Sequence, residues 1–340
     1  RTTQVKYNFK YFESNLRGSH MKYYLIIFAF CLIVMSCQNQ NSDIELTYLG
    51  TAGWVIKDEN TKVLIDPYIS RIKLVGMSTS SKISKTAQNR DWGTDNRKKY
   101  YRDDAYEPDT SLINSIIGNN TIDSSSYIFV HHTHFDHAAD VPYIAMKTGA
   151  RVIGTESLSN LLQAHGLPEE QIITVKGGED YDFENFSVKI LPSLHSALRD
   201  KQYFSSETIK KDIKVPLQIK DYVEGGSLMF YFRFNNHKVL TMGSMNFIEN
   251  EIDGLRPDIL LAGSANSRKE IFNYTERLLK KTGFPKVVIP THWDDFRVIY
   301  EASQEKALKS KALPFVEDVN NISPNTNVII PKHLIPIVIN

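Results

Sequence analysis

The stretch His131-His132-Thr133-His134-Phe135-Asp136-His137 constrains this chain more than any other. It places four histidines and an aspartate within seven residues, directly after the apolar run Tyr127-Ile128-Phe129-Val130. Such a run reads as a buried strand, so the cluster falls where a strand ends and a loop begins. Side chains leaving that loop can converge on one point. Imidazoles crowded this closely repel one another when protonated and leave ring nitrogens unpaired when buried and neutral. A bound cation removes both problems. Imidazole with carboxylate suits Zn, Fe, Mn, Ni or Cu rather than Ca or Mg, which prefer oxygen shells. Three further candidates stand alone downstream: His195, Ser244 and His292.

The spacing of His132, His134, Asp136 and His137, followed by isolated later histidines, resembles the metallo-β-lactamase superfamily over roughly residues 45 to 335. The resemblance implies a four-layer αββα sandwich with metals at one edge of two packed sheets. It implies one ion held by His132, His134 and His195 and a second held by Asp136, His137 and His292. Three protein ligands per ion leave room for water, which marks a catalytic site. The implied chemistry is metal-bound hydroxide attacking an ester, lactone or phosphodiester, with Asp136 orienting it. Zinc is the expected metal, as one or two ions, with iron or manganese as alternatives. Asp66, closing Leu64-Ile65-Asp66-Pro67, is expected beside the metals or, equally, as a turn former before proline.

The chain departs from the family pattern at one place. Dinuclear members carry an aspartate between the third and fourth histidines that bridges both ions. Here the matching segment reads Leu240-Thr241-Met242-Gly243-Ser244, and a neutral hydroxyl bridges poorly. The expected outcomes are a single metal, replacement by Asp294 or Asp295 beside His292, or lost catalysis. The last corresponds to a lipoprotein that keeps the fold to bind a ligand or metal without turnover. The opening Leu49-Gly50-Thr51-Ala52-Gly53-Trp54 and the Leu64 to Pro67 segment resemble the branch with sugar-phosphate lactonases and phospholipase D-like phosphodiesterases more than true β-lactamases.

Composition sets the frame. The chain has 340 residues, 41% hydrophobic and 23% charged, with a formal net charge of +1. That balance gives no argument for nucleic acid. Seventeen tyrosines and 17 phenylalanines supply a core and a pocket. Both cysteines, Cys31 and Cys37, precede residue 40, so the body has neither a disulfide nor a thiolate metal site.

Residues 1–20 show no period and are set aside as non-native or upstream sequence. From Met21, Lys22 precedes an apolar run of about 13 residues, short of the roughly 20 needed to span a bilayer. The run ends Val34-Met35-Ser36-Cys37 and turns polar. This resembles a bacterial lipoprotein signal over residues 21–36, with Cys37 acylated and residues 37–43 as a tether. The expected protein is exported and lipid-anchored to a bacterial membrane, facing periplasm or cell surface. Its expected substrate is a small or lipid-like molecule.

The domain then runs from 44 to 340. Residues 44–67 read as a strand meander. Two insertions interrupt the family pattern, at about 70–125 and 197–226. The first offers Arg90, Trp92, Arg97 and Tyr101 as anion or ring contacts, or else a solvated basic face. The second offers Tyr203, Phe204 and the run Lys210-Lys211 as another pocket wall. Helices are expected at 112–117, 138–146, 157–165, 269–281 and 300–309. His165 is expected at a helix C-terminus, and His237 in a solvated hairpin turn.

Overall fold

Alternation of apolar side chains along the strands builds the layers. In β1 (Ile44–Gly50), β2 (Gly53–Asp58) and β3 (Thr61–Ile65), Trp54, Ile56, Val63 and Ile65 face one way, and Val55 and Leu64 the other. Successive residues of a strand point to opposite faces, so a strand apolar on both faces must be covered twice. The computed structural model describes residues 43–76, 88, 90, 92 and 94–340. The expected signal segment, Cys37 and the tether up to residue 42 lie outside the described residues. No helix among the described residues is long and apolar enough to cross a membrane.

Two short strands, β4 (Lys73–Gly76) and β5 (Lys99–Tyr101), pair in parallel by themselves. The next strands are β6 (Tyr127–Phe129), β7 (Arg151–Gly154), β8 (Ile172–Thr174), β9 (Asp180–Phe183) and β10 (Phe186–Ser193). They are followed by β11 (Ser227–Phe234), β12 (His237–Met242), β13 (Ile259–Gly263), β14 (Val287–Thr291), β15 (Asn327–Val328) and β16 (Pro336–Ile339). One seven-stranded sheet runs β16-β1-β2-β3-β6-β7-β8, and the other β15-β14-β13-β12-β11-β10-β9. Each is antiparallel in one half and parallel in the other.

Three apolar clusters separate four layers. Phe129, Phe186, Phe230 and Phe232 fill the space between the sheets. Ile128, Val152 and Leu64 pack outward on Ile113, Ile116, Leu158 and Leu161 of the helices Thr110–Asn119 and Glu156–Ala164. Leu240, Leu260 and Val288 pack on Leu278 and Phe315 of the helices Tyr274–Lys281 and Leu313–Ile322. This is the expected αββα sandwich.

Several local expectations shift. The helix expected at 138–146 is two helices, Phe135–Ala138 and Val141–Thr148, the second carrying Pro142 in its first turn where no N–H is needed. The helix expected at 300–309 starts later. It runs Glu305–Ala307, then a π turn Leu308–Ala312, then Leu313–Ile322, with Pro314 likewise in the first turn after the π segment. The helix expected at 269–281 begins at Tyr274, after a 3-10 turn Asn266–Glu270. His237 is not in a solvated turn: it opens β12 opposite Phe234 and is buried. The hairpin needs only Asn235-Asn236 between its strands, because a two-residue turn matches strand twist. His165 caps the helix Glu156–Ala164, as expected.

The two insertions knit together. Ala105 bridges Gln218, and the Tyr106 N–H donates to the Leu217 carbonyl at 2.9 Å. The Ile219 N–H donates to Asp104 at 3.0 Å and the Lys220 N–H to Arg102 at 2.8 Å.

Candidate metal centre

β6, β10, β12 and β14 end on the same edge of the sandwich, and their C-terminal ends deliver His132, His195, Ser244 and His292 into one cavity. The strand period decides which histidine stays out. Phe129 faces between the sheets, so His131, two residues on, does too. Its ring packs 4.8 Å from Phe230, and its Nε2 lies 2.9 Å from Thr241 Oγ1. Gly243 lets it fit, since a Cβ there would come within 2.3 Å of the His131 Cβ.

The remaining ligand candidates form two adjacent triads. His132, His134 and His195 bring one donor atom each within 4.8 Å of one another, and so do Asp136, His137 and His292. The His132 and His137 ring centroids lie only 3.9 Å apart, joining the triads. His292 Nε2 lies 3.7 Å from Asp136 Oδ2. His292 sits at φ +57 with its N–H held by the Thr51 carbonyl at 2.5 Å, and Asp66 at φ +40. Positive φ is uncommon for residues other than glycine and persists where the surroundings enforce it.

Asp66 lies directly behind the second triad. It is fully buried, and its Oδ2 accepts from His131 Nδ1 at 2.7 Å and His137 Nδ1 at 2.6 Å. Its Oδ1 accepts the His131 backbone N–H at 2.8 Å. An ionised carboxylate only accepts, so His137 must carry its proton on Nδ1 and turn Nε2 toward the triad. His195 is oriented likewise, its Nδ1 donating to the Ser196 carbonyl at 3.0 Å.

Burial, then the charges of His137, His195 and their neighbours, push His132 well below the ordinary histidine value. Burial dominates at His134, His195 and His292, which fall to about 3, about 4 and about 4. These imidazoles are neutral at pH 7 with lone pairs available. Burial opposes protonation of His137, but the Asp66 carboxylate outweighs it and holds that group above the ordinary value. Burial opposes ionisation of Asp136, yet His137 and His292 keep it below the usual carboxylate range. Buried ring nitrogens of His132, His134 and His292 have no hydrogen-bond partner among the described residues. A polar atom in that state costs free energy unless something pairs with it, so the donor set fits a transition-metal cation.

Ser244 lies where expected, its Oγ accepting the Ser196 N–H at 2.8 Å. Asp294 is not a replacement ligand. Its Oδ1 accepts from the Thr51 N–H at 2.9 Å and Tyr48 OH at 3.1 Å, and its Oδ2 from Arg71 Nη1 at 2.8 Å and His333 Nε2 at 2.9 Å. It is fully buried and faces away from the cavity it was expected to enter. Asp295 is also engaged, pairing with Arg90. Asp136 is the one carboxylate among the described residues lining the cavity.

Of the first insertion's candidates, Arg90 lines the cavity, and Trp92 lies under the Lys73 and Arg90 cations. Arg97 instead pairs with Asp95 and donates to the Ser70 and Arg71 carbonyls, a structural role. Arg102, one residue past Tyr101, supplies the cavity contact. Phe204 of the second insertion lines the cavity, whereas Lys210 and Lys211 are exposed. Arg297 and Lys311 also line it, and nothing in their local sequence marked them.

A model of the β-lactamase superfamily domain matches residues 45–292. The chain belongs to the metallo-β-lactamase superfamily. A metal-dependent hydrolase of Staphylococcus aureus strain JH9 is 26% identical over 204 residues, which is 59% of this chain and 81% of that protein. Among solved structures, Igni18, a metallo hydrolase of the archaeon Ignicoccus hospitalis, aligns with a TM-score of 0.52 and 15% identity. That alignment covers 88% of this chain and 99% of the archaeal one. CmlA, a diiron β-hydroxylase of Streptomyces venezuelae, aligns equally well over 88% of this chain and 54% of its own. These likenesses show the fold, and the reaction has to be argued from the site.

Proposed function

We propose that this member is a metal-dependent hydrolase acting on an ester, lactone or phosphodiester. The observation that carries the reading is the pair of adjacent triads, one of three neutral imidazoles and one with the carboxylate Asp136, on one wall of a cavity of about 510 Å³. His132, His134 and His195 would hold one cation, zinc being the best match to three imidazoles. Asp136, His137 and His292 would hold a second, more weakly, because Ser244 brings no charge between the sites. A cation bound there polarises the carbonyl or phosphoryl group and lowers the pKa of water.

The chain's own residues do the rest. Asp136, ionised and next to His292, accepts a hydrogen bond from the attacking water and orients it. Asp66 fixes His137 so that the ring does not turn during turnover. Phe204 and Phe296 line the cavity and give the substrate an apolar surface. Water adds across the scissile bond: the acyl or phosphoryl group takes the hydroxyl and the leaving oxygen takes the proton. The expected setting is outside the cytoplasm, with Cys37 as the point of lipid attachment.

The test is metal content per chain by elemental analysis, together with turnover of p-nitrophenyl butyrate, bis-p-nitrophenyl phosphate and a simple lactone. Metal and activity both lost in His132→Ala support the reading. Bound metal without turnover of any of the three classes refutes it and leaves a protein that binds without catalysis.

A further inference from the structure

The cavity is strongly cationic in a chain whose net charge is only +1. Arg90, Arg102, Arg297 and Lys311 line it, against Asp136 as the one carboxylate among the described residues. Arg90 is neutralised by Asp295. The other three form no ion pair among the described residues. The Arg102 Nε is buried without a hydrogen-bond partner. The Arg102 guanidinium lies 4.6 Å over the Phe204 ring, and that of Arg297 4.4 Å over Phe296. Lys311 spends one N–H on the Asp294 carbonyl at 2.8 Å.

Burial and the nearby Arg297 charge oppose protonation of Arg102 and outweigh Asp136 and Asp221, and burial with Arg90 opposes that of Arg297 and outweighs Asp295 and Asp136. Lys311 is pushed down by burial as well. Holding unpaired like charges together in a half-buried wall is costly. A cation in either triad would add to the repulsion rather than relieve it. An anion relieves it. Both guanidiniums rest on rings that pre-position them, so little side-chain freedom is lost on binding. Lys311 is presented by a π turn, a distortion frequent at functional sites. Around these charges the wall is apolar, with Leu74, Val75, Leu198 and Met245.

We propose that the cavity takes an amphiphilic anion. A phosphate or carboxylate of the substrate is held by Arg102, Arg297 and Lys311, its apolar remainder lies on Phe204, Phe296 and Leu198, and its scissile bond faces the two triads. This deepens the hydrolase reading and names a substrate class within it.

The experiment is calorimetric binding of octyl phosphate, octanoate and the neutral octyl glucoside to the full metal-loaded chain at fixed ionic strength. The variants are Arg102→Gln/Arg297→Gln and Arg102→Lys/Arg297→Lys, with metal content measured on every sample. One or both anions should bind at least about tenfold more tightly than the glucoside, as charge-assisted hydrogen bonds imply. Whichever anion shows the preference identifies phosphate or carboxylate. The glutamine pair should lose the preference with metal content unchanged, and the lysine pair should keep part of it. Equal affinity for all three probes overturns the proposal. So does a preference that survives in the glutamine pair, because the anion would then sit on the metals alone. Anion preference without turnover of any ester would defeat the hydrolase reading and leave this inference standing. Turnover of neutral esters with no anion preference would do the reverse.

Discussion

Arg71→Met would test the buried network behind the second triad. Arg71 is completely buried. Its Nη1 donates to Asp294 Oδ2, its Nε to the Val298 carbonyl and its Nη2 to the Asp295 carbonyl, each at 2.8 Å. Asp294 in turn holds Thr51, whose carbonyl accepts the His292 N–H. Gly50 makes this possible, because a Cβ there would come within 2.1 Å of Arg71 Nη1. Methionine fills much of the volume but leaves Asp294 charged in a dry site. Breaking a buried pair on one side costs about 3–5 kcal/mol, a large part of the ~5–15 kcal/mol stability of a typical domain.

The pH dependence gives a second reading of the same substitution. In the native protein burial opposes ionisation of Asp294, but Arg71 and His333 hold its carboxyl well below the usual range. Without Arg71 burial raises it. A group with a raised folded-state pKa binds more protons folded than unfolded, so stability rises as pH falls. The deficit of the variant should therefore shrink between pH 7 and pH 5. The assay is urea denaturation of metal-free protein at both pH values, with metal content of the loaded protein alongside. A variant within about 0.5 kcal/mol of the parent at pH 7, or a deficit that grows toward pH 5, refutes the reasoning. Asp294→Asn should leave metal stoichiometry unchanged; loss of one ion with stability intact would restore Asp294 as a ligand.

Asp66→Ala removes the acceptor for two imidazoles and one backbone N–H. Stability should fall by about 3 kcal/mol or more, and metal affinity by roughly 10–100-fold, read by denaturation and by competition with a chromogenic chelator. Metal-free protein should lose stability as pH drops from 7 toward 4. His134, His195 and His292 stay neutral down to about 3, 4 and 4, while the unfolded chain takes up protons from about pH 6.5. His137, held above its usual value by Asp66, works in the opposite sense and reduces the loss; a flat urea midpoint between pH 7 and 5 would contradict the depressed values. Ser244→Asp places a carboxylate in the cavity and should raise occupancy of the second ion in elemental analysis, whereas unchanged stoichiometry would show that Ser244 does not limit it.

The ligand cluster was legible because short-range spacing carried it. His132, His134, Asp136 and His137 leave one strand end together, and no long-range packing is needed to bring them near one another. Helix boundaries were less legible. Proline and a π turn, not hydrophobic period, set where the segments around 135–148 and 305–322 break and resume. Asp294 misled because its neighbour His292 faces the site while its own side chain turns to Arg71, 223 residues away in sequence. His237 misled because polarity suggested a turn, whereas the strand register begins one residue earlier.

Through its family resemblance the sequence by itself pointed to the layered fold, in which strands apolar on both faces are covered twice. It also determined the ligand types and the neutral Ser244 between them. Only the tertiary structure decided that Asp66 backs the site while Asp294 turns away from it, and that Arg102, Arg297 and Lys311 meet on one wall. Local spacing fixes which groups leave a strand together. The meeting of charges from separate loops depends on how whole sheets and insertions pack, and no local pattern encodes that.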